Sequence, residues 1–183
     1  MTAYHQQRGG IADRIDPIMS AVGGVAAWVG AFIVMALFAV IESDDDVDEG
    51  LIDMAGTLLY NAMFVPLEME GAAELGLDGS INLLTDDLFA ETLSIPTPVY
   101  QLVPIIVLVG VGFFIAQEFD TVELVEGAVA GASIAIGFVV LSLVGTFIVS
   151  PDIGDPDFVM AIVMGIVYPA IFGGVGGAIS TQT

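Results

Sequence analysis

The chain has no lysine and no cysteine, one histidine (His5), and only two basic residues, Arg8 and Arg14. The missing cysteine rules out disulfides, thiolate metal sites and cysteine nucleophiles. With so little positive charge to neutralise phosphate, no nucleic-acid partner is expected. Charge of either sign is also missing from four long stretches: Ile18–Ile41, Val99–Ala116, Gly127–Val149 and Phe158–Ile179. Proton pumps, voltage sensors and charge-coupled carriers normally keep ionisable side chains at membrane depth, so these spans argue against such mechanisms.

What the chain does contain is apolar surface. Hydrophobic residues make up 56% of its 183 residues, and mean hydropathy is +0.92. A soluble domain of this size cannot hide that much, because its surface-to-volume ratio is too high. Lipid can cover it. A hydrocarbon core of ~30 Å takes about 20 helical residues at ~1.5 Å each. Period-two alternation is absent from the spans, so helices are expected rather than barrel strands. The sequence therefore predicts an all-α integral membrane protein with four transmembrane helices, and the lipid bilayer as its first partner. The first span is longer than a ~7–15 residue secretory signal core and is followed by three more, which predicts an uncleaved helix.

Arg8 and Arg14 both precede the first span, and no other connection carries Lys or Arg. The positive-inside bias then places the chain in the cell membrane with both termini cytoplasmic. Residues 1–17 are the N-terminal tail, 42–98 an acidic outer loop, 117–126 a cytoplasmic loop, 150–157 a short outer loop and 180–183 the C-terminal tail. The acids number 23, giving a formal charge of −21. Such a surplus with no Lys resembles proteins adapted to molar salt, where a Debye length of ~3 Å makes self-repulsion tolerable.

Within the long loop, Leu51, Ile52, Ala55, Leu58, Leu59, Ala62 and Met63 form an apolar stripe, which predicts an amphipathic helix over 51–65. Asp53, Thr57 and Asn61 lie on the opposite face, and Pro66 ends the helix. The stretch is too short to span. An interfacial or bundle-capping helix is the main expectation, and a re-entrant one the second. For 67–98 a small hairpin around Asp78-Gly79 competes with a helix over Ile81–Leu93 capped by Ser80, and a short helix near 84–92 is preferred.

Candidate chemistry is scarce. Asp44, Asp46 and Asp48 match the first three ligand positions of an EF-hand, but the required Gly falls on Glu49 and the closing Glu on Ala55. Asp152, Asp155 and Asp157 read as a hydrated loop, and His5 as a tail residue. Ser133, Ser142 and Thr146 have no base nearby, and back-bonding to the helix explains them. No catalytic, cofactor-binding or metal-binding residue is assigned. The positive signal is small-residue packing. Gly127, Gly131 and Ala135 share a face of the third span, and Gly173 and Gly177 close the fourth. Such faces suit close packing of these two spans or, alternatively, a homo-oligomer or membrane-protein partner. Pro169 precedes the glycine run as a possible helix break.

Tyr60-Asn-Ala-Met-Phe-Val65 and Pro96-Thr-Pro-Val-Tyr-Gln-Leu-Val-Pro104, with four spans and an acidic loop, resemble a group of small uncharacterised multi-pass membrane proteins of haloarchaea. The resemblance implies no activity and carries over no functional residue. It implies only that 60–65 and 96–104 act together, as a lid over the bundle. The functional expectation is a non-enzymatic packing, assembly or accessory subunit. The alternative is a small transporter or channel component using the Pro169–Gly177 break.

Overall fold

The computed structural model describes residues 15–43, 50–69 and 79–182. Arg8, Arg14, His5, the acid run 44–49 and Asp78 lie outside these segments.

The first span is helix α1 (Pro17–Glu42). Asp16 accepts hydrogen bonds from the backbone N–H groups of Ile18 and Met19, and Pro17 takes the first turn, where its missing N–H costs nothing. The second span is α4 (Thr97–Glu118). It starts earlier than its apolar run, so Pro104, expected in the opening turns, is an interior residue and leaves a gap in the helical ladder. The third span comprises α5 (Leu124–Ala132) and α6 (Ala135–Gly145), joined through a tightened turn at Ser133 and Ile134. The fourth comprises α7 (Phe158–Tyr168), a π turn (Pro169–Gly173) and α8 (Gly174–Ser180). Asp157 caps it by accepting from the Met160 N–H at 2.8 Å.

All four spans are long and apolar enough to cross a membrane. Their outward faces are the reason to place them in one. Only 28% of the most apolar window of α1 is buried, and large apolar side chains such as Ile18, Phe114 and Phe147 are more than two-thirds exposed. In water this would be one continuous sticky surface; in lipid it is the ordinary solvated face.

Between α1 and α4 lie α2 (Leu51–Ala62), β1 (Leu67–Glu68), β2 (Ser80–Ile81) and α3 (Asp87–Ala90). A third two-residue strand, β3 (Asp155–Pro156), lies between α6 and α7. β1 is central and antiparallel to both neighbours, pairing Leu67 with Ile81 and with Pro156. The short helix forms at Asp87–Ala90, whereas the pairing of 67–68 with 80–81 does not place a turn at Asp78-Gly79: Gly79 accepts from the Met69 N–H beside the strands. This small sheet ties the long loop to the connection before the fourth span. The end of the bundle that carries it is the cap end.

Candidate functional site

The spans meet at glycines. On the first seam, a Cβ added to Gly24 would lie 2.9 Å from the Gly137 Cα, and one on Gly137 would lie 2.7 Å from the carbonyl carbon of Ala21. Here α1 and α6 are in backbone contact. On the second, Gly127 and Gly131 of α5 face Gly173 and Gly177 of the fourth span: a Cβ on Gly173 would sit 2.6 Å from the Gly131 oxygen, and one on Gly177 2.9 Å from the Gly131 nitrogen. On the third, Gly112 of α4 lies against Gly173, and Gly176 against Val109 and Phe113. Close approach without side chains is how helices gain dispersion where lipid offers no hydrophobic drive.

Ala135 lies past the turn at 133–134 and is only half-buried. Beyond that turn the next close-packed glycine, Gly137, faces α1 instead of the fourth span. Pro169 is buried, and its span does not break there. The chain passes through a widened turn, which absorbs the bond the proline cannot make. Gly173, Gly176 and Gly177 all face neighbouring backbone.

The largest departure from the sequence reading is α2. Asp53, Thr57 and Asn61 were expected to face water on an interfacial helix, yet every residue from Ala55 to Ala62 is buried. The helix packs chiefly along α1 and also meets α4, with fastenings that reach the third span and the connection after it. Asp53 accepts from the Ser150 N–H at 2.9 Å, Gly56 packs on Val149, and the Tyr60 hydroxyl donates to the Ser142 carbonyl. Gly145 makes room for Tyr60 and for Trp28 of α1. At the far end, the Tyr168 hydroxyl donates to the Ala62 carbonyl at 3.2 Å. Tyr168 is ten residues, ~15 Å of helical rise, beyond Phe158, and helical side chains lean back toward the N-terminus. So the C-terminal end of α2 meets the fourth span well inside the bundle.

The chain reverses at Phe64, whose φ of 60° is left-handed, a conformation that costs a non-glycine residue about 1 kcal/mol. Buried Asn61 holds the reversal. Its side-chain amide donates to the Val65 carbonyl at 3.0 Å and accepts from the Leu83 N–H at 2.6 Å. The Asn82 side chain bonds the Asn61 carbonyl at 3.0 Å. Asn61 looks like an exposed polar position in the sequence because its partners are 4 and 22 residues away.

A second fastening joins α1 to α4. Glu42, one residue beyond the uncharged run, accepts from the N–H groups of Ser94 and Ile95 at 2.8 and 3.0 Å, and from the Tyr100 hydroxyl. Burial raises its pKa, but the hydrogen bonds together outweigh burial and hold the carboxyl below its ordinary value. A lowered folded-state pKa gives stability that is present above the unfolded value and lost as pH falls through the folded one. Thermal midpoints of wild type and Glu42→Gln are therefore expected to differ most at pH 6–8 and to converge as pH drops below the glutamate range (about 4.3). A gap that stays constant with pH contradicts this role.

These fastenings position surfaces, and none amounts to a catalytic arrangement. No group of three or more His, Cys, Asp or Glu able to hold a metal ion occurs among the described residues. Between α5 and α8 lies an open, almost wholly apolar groove, where small residues such as Ala128, Gly174 and Ala178 alternate with larger ones such as Val129 and Ile171.

Residues 1–183, the whole sequence, match the model of a protein family of unknown function, DUF7978, and the chain belongs to that family. No curated protein and no solved structure matches it.

Proposed function

We propose that this DUF7978 chain is a non-enzymatic membrane protein that works by packing, as an assembly or accessory subunit. The observation carrying this reading is the contrast between its inner and outer glycine and alanine faces. Inside, glycines bring backbones into contact on three seams, which favours a rigid body over a moving one. Outside, the groove between α5 and α8 carries small residues among larger ones, a lining that suits a partner helix. In this reading the cap end faces outward, the termini are cytoplasmic, and the protein sits in the cell membrane of a salt-adapted cell. The arginines before α1 and the acid surplus support that placement.

Crosslinking and native mass measurement in mild detergent test the proposal. The expected result is a homo-oligomer or a stoichiometric membrane partner. Ala178→Leu, which fills the groove, should abolish the association without lowering the thermal midpoint. A strict monomer with no co-purifying partner overturns the reading.

Transport is the second reading, favoured by the inserted α2 and the π turn, both common where membrane helices line a path. The glycine run after Pro169 counts against it, because those glycines are occupied by neighbouring backbone. Solute flux through proteoliposomes separates the two.

A further inference from the structure

At the mouth of the inserted helix lies a cavity of about 440 Å³, within the usual size range of ligand pockets. α2 contributes Asp53, Met54 and Thr57; the 150–157 connection contributes Asp152 and Ile153; Leu83 closes one side. Among the described residues, no lysine or arginine lines it.

Thr57 sets this cavity apart from an ordinary acidic surface hollow. It is 2% exposed, and its hydroxyl is buried with no hydrogen-bond partner. A helical threonine normally satisfies itself on the carbonyl one turn back. A buried polar atom left unpaired is uncommon and points to a missing partner. One turn earlier, Asp53 is fixed by the Ser150 N–H. Asp152 is exposed on the facing connection. The polar side chains of the lining are therefore two carboxylates and two hydroxyls, of which Ser150 already donates its proton to Asp155, and all are able to accept. What they suit is a positively charged donor.

We propose that this cavity binds a small organic ammonium ion. Two carboxylates compensate its charge, and N–H groups reach acceptors that a bare cation would contact without direction. Met54, Leu83 and Ile153 provide apolar wall for a short hydrocarbon body. A hard divalent ion would want six or more oxygens, and the described residues offer no cluster of three ligating side chains here. The net charge of −21 raises the local concentration of any cation.

The test uses the full-length chain in detergent and n-butylammonium chloride as probe, read as a shift in thermal unfolding midpoint. Binding to the folded state raises that midpoint saturably. Sodium chloride at equal ionic strength should not reproduce the saturable rise. Tetramethylammonium, equally charged but without N–H donors, should bind at least about tenfold more weakly. Asp152→Asn and Thr57→Val should each weaken butylammonium roughly tenfold. Thr57→Val should also leave the ligand-free midpoint unchanged or raised, since it removes an unpaired hydroxyl at nearly constant shape. A butylammonium response no larger than that of sodium chloride overturns the proposal. So does saturation by sodium at lower concentration, or unchanged butylammonium binding in both variants.

Discussion

Gly137→Ala is expected to destabilise the protein by about 3 kcal/mol or more, although it adds a single methyl group to an apolar helix. The added carbon would fall on the Ala21 carbonyl, with the Ala21 carbonyl carbon at 2.7 Å and its Cα at 2.9 Å. All three are backbone atoms of α1, so no side chain can swing aside. The two helices must separate, and the Gly24 contact on the same seam is lost with them. Gly110→Ala is the matched control. It adds the same methyl within α4 but has nothing within 4 Å of the new carbon. Glycine inside a helix is worse than alanine by about 0.5–1 kcal/mol, so this variant should be neutral or slightly stabilised. Unfolding midpoints in mixed micelles with increasing dodecyl sulfate measure both. Equal midpoints for the pair would show that the α1–α6 seam is not in backbone contact.

The second large effect is expected at Asn61. Asn61→Leu keeps approximate volume but leaves the Val65 carbonyl and the Leu83 N–H without partners. Each orphaned group costs about 1–3 kcal/mol, so a loss of about 3 kcal/mol is expected. Its character should differ from that of the glycine variant. The four spans do not depend on Asn61, whereas the reversal at Phe64 and the 79–86 segment do. Helical circular dichroism should persist while amide protection at Val65, Leu67 and Leu83 disappears and proteolysis between 63 and 86 accelerates. Uniform loss of protection across all four spans would place Asn61 in the core of global stability instead.

These two sites show where sequence pattern reaches and where it stops. The spans were legible because lipid excludes charge, which leaves uncharged runs whose ends are marked by acids. The helix of α2 was legible from its apolar spacing. Its surroundings were not. Periodicity places Asp53, Thr57 and Asn61 on one face, but water, lipid and other protein all accept such a face when its partners are distant in sequence. Ser150 is 97 residues from Asp53, and Ser142 is 82 from Tyr60. Glycine has the same ambiguity. Gly127 and Gly131 stand out because a four-residue spacing draws attention to them. Gly24, Gly112, Gly137 and Gly176 are equally close-packed, but none has another glycine four residues away. In sequence they look the same as Gly110, which faces open space. The Ala135 position follows from the turn at 133–134, which no proline or glycine marks.

The lodging of α2 also sets an order of events during synthesis. Its chief neighbour, α1, is made before it, but two of its fastenings wait for residues that leave the ribosome much later: Ser142 for Tyr60, and Tyr168, 106 positions on, for Ala62. Translation at ~5–20 residues per second puts several seconds between the helix and these partners. α2 can therefore lie against α1 early, with these fastenings still open. Making them is a late, long-range closure that follows arrival of the fourth span, and the slowest step of maturation is expected there.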